Sequence, residues 1–162
     1  MDIPTSRAGL VLKALTTKDT DEYHQLVQNN AEHLTRIGNY TDLVAQSRTQ
    51  IAAHLAQPSD PPLNFGIHES NLLCGTIELL PVDPPKYGLG YWLAANACGR
   101  GLATISCLAL LDYARTTLDA TDVYAGVSHG NNASVAMLQR AGFEPVRHFD
   151  DYTRFRRCLT QP

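Results

Sequence analysis

The sequence predicts an α+β domain whose elements run β-α-α-β-β-β-α-β-α-β-β, and three observations carry that prediction. Helical spacing of apolar residues fills the first third. Strand-type patterning sets in after a proline cluster at residues 58–62, and two separate strand ends then each run straight into a helix start. No internal repeat or low-complexity tract disturbs this order. A length of 162 residues, 44% apolar and 18% charged, suits one globular domain over residues 1–162.

Each element has its own justification. Leu10-Val11-Leu12-Lys13-Ala14-Leu15 reads as a strand, and Thr16 to Asp19 offers capping residues before the helical pattern of Tyr23, Leu26 and Val27. A second helix follows Tyr40-Thr41-Asp42, with Val44, Ile51, Ala52 and Leu55 at helical spacing, and ends before Pro58. Asn64 to His68 and Leu72 to Leu80 form a hairpin around the polar turn Glu69-Ser70-Asn71. Pro81 to Lys86 reads as a polar loop, and Tyr87 to Leu93 as the next strand. From about Gly101 to Leu118 a helix is apolar on nearly all sides, which predicts burial. Asp122 to Val127 is a strand, Ala133 to Ala141 a short helix ended by Gly142, and Glu144 to Leu159 a pair of strands bending near Phe149-Asp150-Asp151.

Composition excludes several function classes. Thirteen Lys and Arg against sixteen Asp and Glu leave a net charge of −3, which argues against a nucleic-acid partner held by counterion release. No apolar run of about 18 residues exists to cross a bilayer, and Met1 to Arg7 lacks the layout of an export signal, so the expectation is a cytoplasmic protein with no membrane partner. Cys74, Cys98, Cys107 and Cys158 show no C-x-x-C spacing, which points to reduced thiols and no metal site.

The chemistry concentrates at the two strand-to-helix junctions. Leu93 to Thr104 runs from a strand through Gly99-Arg100-Gly101 into the apolar helix. Such a turn leaves N–H groups unpaired at a helix start, where glycines admit a phosphate closely and Arg100 and Thr104 can add donors. Read alone, the junction fits an anion cradle or a plain tight turn equally. It has neither the third glycine of a dinucleotide fingerprint nor the Gly-Lys-Ser/Thr of an NTPase phosphate loop.

The second junction is Val127-Ser128-His129-Gly130-Asn131-Asn132-Ala133-Ser134, continuing to Leu138 and Gly142-Phe143. Together with Gly90-Tyr91-Trp92-Leu93 and Gly99-Arg100-Gly101, this pattern resembles the GCN5-related N-acetyltransferase (GNAT) superfamily, in the branch that acetylates ribosomal-protein N-termini. The resemblance implies a mixed, mostly antiparallel sheet of about six to seven strands flanked by about four helices, with splayed central strands. It implies acetyl-CoA as donor, an amine acceptor that is a protein N-terminus or a small molecule, and pairing as a homodimer in some relatives. Carried over by residue, the backbone of Trp92, Leu93 and Ala94 would meet the pantetheine arm. The N–H groups of Gly99, Arg100, Gly101, Leu102, Ala103 and Thr104 would hold the pyrophosphate. Asn131 would bond the arm from the other side, and Ser134 would donate to the departing thiolate. As local structure, Asn131 also reads as a turn residue and Ser134 as a helix cap. The chain departs from the pattern at Asn96, where Gln or Arg is usual, at Cys98, where Arg is frequent, and at Phe155 and Ile37, where Tyr and Trp are common.

Glu78 and His68 are the candidate general bases. Glu78 is mid-strand on the side opposite Ile77 and Leu79, and His68 lies on the neighbouring strand of the hairpin; His148 and Tyr152 are weaker choices. An α-amine with pKa near ~7.7–8 needs little help from a base, which favours it over a lysine at ~10.4. Direct transfer from acetyl-CoA to such an amine is the expected activity. The alternatives are a catalytically silent acetyl-CoA-binding module and an acetyltransferase acting on aminoacyl-tRNA, the latter disfavoured by the acidic net charge.

Overall fold

A computed structural model describes residues 1–36 and 40–160. Strand β1 (Asp2–Pro4) and β2 (Leu10–Ala14) lead through a 3-10 turn into α1 (Thr20–Asn29), α2 (Ala31–Arg36), α3 (Thr41–Ala45) and α4 (Arg48–Leu55). Then come β3 (Asn64–Glu69), β4 (Leu72–Asp83), β5 (Lys86–Leu93), α5 (Leu102–Thr117), β6 (Asp122–Ser128), α6 (Asn132–Arg140), β7 (Glu144–His148) and β8 (Tyr152–Cys158). All eight strands join one sheet in the order β1-β2-β3-β4-β5-β6-β8-β7.

The α+β class and the alternation of elements match the sequence expectation, with three physical differences. β1 adds a strand: a three-residue segment is too short to show a period, and it exists by pairing with β2 through Ile3 and Leu12. The first expected helix is followed by an additional short one, α2, and the second is broken into α3 and α4. Ser47 caps α4 from its side-chain oxygen while Gln50 returns a bond to the Ser47 N–H, so a fresh helix starts where the sequence suggested continuity. Residues 81–86 are mostly strand rather than loop, because the β4–β5 pairing shifts register between Leu80 and Asp83 and Pro81 sits in that irregularity, where a missing ladder donor costs little.

Alternation along the strands separates two cores. On one face Phe65, Ile67, Ile77, Leu79, Val123 and Phe155 pack with Leu110 and Ala114 of α5 and Leu138 of α6. On the other, Tyr23, Val27, Ile51 and Leu55 from α1 and α4 pack against Leu73 and Trp92. Each such side chain contributes about 1.5–3 kcal/mol when fully buried, so β4 and β5, which feed both cores, are the best-anchored strands. α5 is not buried all round: Leu108 is 45% exposed and Asp112 and Arg115 face outward.

One irregularity positions the site. Among the described residues β5 and β6 are the only parallel pair, and they are in register solely at Lys86 with Asp122, Tyr87 with Val123 and Gly88 with Tyr124. Beyond Gly88, β5 follows β4 as far as Leu93 while β6 pairs along its whole length with β8. The sheet therefore opens between two of its central strands.

Gly75 allows β4 to lie close to β5 at the mouth of this opening, since a Cβ there would fall 2.1 Å from the Trp92 carbonyl oxygen and 2.9 Å from Leu93 Cα. Gly75→Ala is expected to destabilise the protein by about 3 kcal/mol or more, because backbone rather than a flexible side chain must yield. Urea unfolding measures this; a loss below about 1 kcal/mol would show that the strands separate freely here.

Candidate active site

Where β5 leaves β6, a cleft of about 710 Å³ reaches from Tyr40 and Tyr91 past Leu93 to Gly99, Gly101 and Thr104, and its opposite wall is α6, with Asn131, Ser134 and Arg140. The Ala94 N–H donates to the Cys74 carbonyl at 2.7 Å. Main-chain groups alternate from edge to edge along a strand, so Ala94 and Trp92 turn theirs toward β4, and Leu93 and Tyr91 turn theirs into the cleft. Within the segment Trp92 to Ala94, expected to meet an arm lying there, Leu93 is the residue whose main-chain groups turn to the cleft.

At one end the cleft meets the start of α5. Gly99 and Gly101 take left-handed conformations, φ 75° and 79°, and a Cβ on either would have no atom of the described residues within 4 Å. Gly101 is the N-cap, and among the described residues no side chain caps the helix. The N–H groups of Leu102, Ala103 and Thr104 thus lack intrahelical partners and face the cleft with the positive end of the helix dipole.

Arg100 behaves differently from its neighbours. Its guanidinium binds Glu69 at 2.9 and 3.2 Å, while Arg7 Nη1 donates to the Arg100 carbonyl at 3.1 Å. The side chain braces the back of the loop against β3 and is not part of the cleft lining. Positive charge at the cleft comes instead from Arg140, whose Nε donates to Thr104 Oγ1 at 3.3 Å, and from Arg36, which also pairs with Glu32 at 3.2 Å; His33 Nε2 lies 3.6 Å from Cys98 Sγ. None of these was found by motif, because α2 and the C-terminal end of α6 reach the cleft only through tertiary packing.

At the other end, Asn131 is the N-cap of α6 and its Oδ1 accepts from the Ser134 N–H at 3.3 Å. Ser134 is therefore not the cap; its Oγ lies 2.6 Å from the Tyr91 hydroxyl. The Tyr40 hydroxyl donates to the Tyr91 carbonyl, filling one of the backbone positions the parted strands leave unpaired. Burial pushes the phenols of Tyr91 and Tyr40 above their ordinary range.

Glu78 lies on the opposite face from Ser134, across from Gly90, where a Cβ would come within 3.2 Å of its Oε1. Burial pushes its carboxyl up, with His54 pulling weakly the other way. His68 does not join it. Glu78 pairs with Asn64 and His68 with Leu73, four positions along the strand or roughly 13 Å, and the buried His68 ring sits by the Gly66 carbonyl at 3.2 Å. The expected cooperation of the two is thereby corrected. His148 bonds Thr153 Oγ1 at 2.9 Å and Tyr152 stacks on Phe149, and neither lines the cleft. Phe155 is buried in the α5-side core. Ile37 lies outside the described residues.

Comparison with known proteins matches residues 9–144 to a family model described as an acetyltransferase (GNAT) domain. The chain belongs to the GNAT acetyltransferases. This GNAT chain is 28% identical over 141 residues to YdaF of Bacillus subtilis (strain 168), provisionally named a ribosomal N-acetyltransferase, covering 83% of this chain and 77% of YdaF. It is 35% identical over 85 residues to human alpha/beta-tubulin-N-acetyltransferase 9, covering 50% of this chain and 41% of that protein. The GNAT fold is shared with the solved structure of RimL, a ribosomal L7/L12 alpha-N-protein acetyltransferase in complex with coenzyme A, at TM-score 0.84 and 22% identity over 98% of both chains. A second solved structure, the microcin C7 self-immunity acetyltransferase MccE with acetyl-CoA and AMP, aligns at TM-score 0.80 and 17% identity over 94% of this chain and 93% of that one.

A carboxyl whose folded pKa is raised above its unfolded value stabilises the protein fully below that unfolded value, and the contribution is lost as pH rises through the folded pKa. For Glu78 the loss starts from its ordinary 4.5 and continues upward. Urea unfolding at pH 4 and pH 7 is expected to show a smaller decline for Glu78→Gln than for the wild type; parallel profiles would contradict the burial of this carboxyl.

Proposed function

We propose that this chain is an acetyl-CoA-dependent N-acetyltransferase that moves the acetyl group directly to a primary amine, an N-terminal α-amine of a protein or a small amine, within a ternary complex. The observation that carries the reading is the cleft between β5 and β6, closed at one end by an uncapped helix start behind two left-handed glycines and at the other by Ser134. The cradle at Gly99 and Gly101 fits a pyrophosphate, because the volume a Cβ would take at either position is empty and the nearest donors are main-chain N–H groups. When bound, acetyl-CoA supplies a thioester whose acyl carbon an amine can attack. The chain's own residues do the rest. Leu93 offers its N–H group from β5, Arg140 adds charge beside Thr104, Asn131 holds the first turn of α6, and Ser134 carries a hydroxyl on the cleft wall that would donate to a departing thiolate.

Relatives support the same reading: YdaF and RimL are both named for ribosomal substrates. An α-amine acceptor also suits a site in which Glu78, the one candidate base with a raised pKa, lies on the face away from Ser134. The silent-module alternative rested on Phe155 and Ile37, and Phe155 lies in the core rather than in the cleft.

Calorimetric titration is expected to show acetyl-CoA binding that Gly101→Trp abolishes by filling the cradle. Mass spectrometry of products from a library of N-terminal peptides and small amines is expected to show a gain of one acetyl group. Binding without transfer to any member would favour the silent module, and no binding would end the reading. Arg140→Ala is expected to weaken acetyl-CoA binding by roughly three- to tenfold and to reduce its salt dependence, while Arg100→Ala has the smaller effect of a lost brace. A larger effect at Arg100 would reverse these roles.

A further inference from the structure

We propose that Tyr91 is a positioning residue for Ser134, its phenol donating to Ser134 Oγ so that the serine's single proton is left to face the sulfur of the thioester. The inference rests on the acetyltransferase reading above and adds to it a residue for which the motifs give no role.

The geometry is specific. The two hydroxyl oxygens are 2.6 Å apart, both residues line the cleft, and among the described residues neither hydroxyl has another hydrogen-bond partner. Ser134 is held twice: its N–H by Asn131 Oδ1 at 3.3 Å, and its side chain by Tyr91. Tyr91 is itself pinned, since the Tyr40 hydroxyl bonds its carbonyl and its side chain packs with the α5-side core.

Direction follows from chemistry. A serine hydroxyl has one proton and two acceptor positions. A phenol is far more acidic than an alkyl alcohol and is the better donor of the pair, so the short bond runs from Tyr91 to Ser134. With Oγ already accepting, the serine's proton is not spent on Tyr91 and turns into the cleft. Burial holds the phenol above its ordinary pKa, so Tyr91 stays protonated over any practical assay range and acts as a fixed donor rather than a proton shuttle.

The step balances without another reactant. The amine nitrogen forms a bond to the acyl carbon, the carbon–sulfur bond breaks with its electron pair going to sulfur, and the proton the amine loses ends on that sulfur as free thiol. Ser134 donates a hydrogen bond to the sulfur while it carries the charge, and neither hydroxyl changes its proton count.

The test measures kcat and KM for acetyl-CoA in the wild type, Tyr91→Phe, Ser134→Ala and the double variant, following thiol release. Tyr91→Phe is expected to lower kcat by about five- to tenfold, the worth of one hydrogen bond near a developing charge, with KM within about twofold. In the Ser134→Ala background the same change is expected to cost nothing further. Losses that multiply in the double variant, or a KM change at unchanged kcat, would overturn the inference by assigning Tyr91 a packing or binding role. Tyr91→Leu, which also lacks the hydroxyl, gives the same reading if Phe disturbs folding. Failure of the wild type to release thiol with any amine would overturn the acetyltransferase reading and this inference together, whereas transfer undiminished by Tyr91→Phe would overturn this inference alone.

Discussion

The parting of β5 from β6 after three paired residues is the feature on which the site depends. A sheet interior normally has no free main-chain groups, because an unpaired N–H or carbonyl costs free energy unless something satisfies it. Here the carbonyl of Tyr91 and the N–H of Leu93 are left facing a cleft, and the protein itself satisfies one of them with the Tyr40 hydroxyl. A free strand edge inside a sheet is a natural receptor for an extended amide-bearing chain. Reading it as a ligand site requires only that the two strands be unable to close on each other.

Packing supplies that constraint. β5 sends Leu89 and Leu93 into the α5-side core and Trp92 into the α1–α4 core, so it is fixed from both faces, while β6 spends its hydrogen bonds on β8 from Asp122 to Ser128. Closing the gap would gain a few ladder bonds at about 1 kcal/mol each. It would also displace side chains whose burial contributes about 1.5–3 kcal/mol apiece, so the open form prevails. The start of α5 then projects its free N–H groups into one end of the gap, and α6 brings Ser134 to the other.

Much of this was legible in the sequence because its signals are local. The hairpin of β3 and β4, the apolar run of α5, the paired glycines at 99 and 101 and the Asn131–Ser134 helix start all lie within a few residues of their own cause. The cleft is lined by Arg140 and Arg36, which reach it from α6 and α2. Local pattern could place neither. Tyr40 meets Tyr91 across 51 positions of chain and Arg7 meets Arg100 across 93, contacts that exist only once the sheet has formed. Arg100 misled for the same reason: beside two glycines it looks like a phosphate ligand, and only the neighbouring β3 shows that Glu69 holds it.

On the function proposed above, the gap between β5 and β6 receives an acetyl-CoA molecule with its phosphates at the start of α5. Amide chemical-shift mapping of the isotope-labelled protein titrated with acetyl-CoA tests this most directly. The largest changes are predicted at the N–H groups of Gly99 to Thr104, at Leu93, and at Asn131 and Ser134, with β1 and β2 unaffected. Saturable binding that leaves those amides unmoved and perturbs another surface would contradict it.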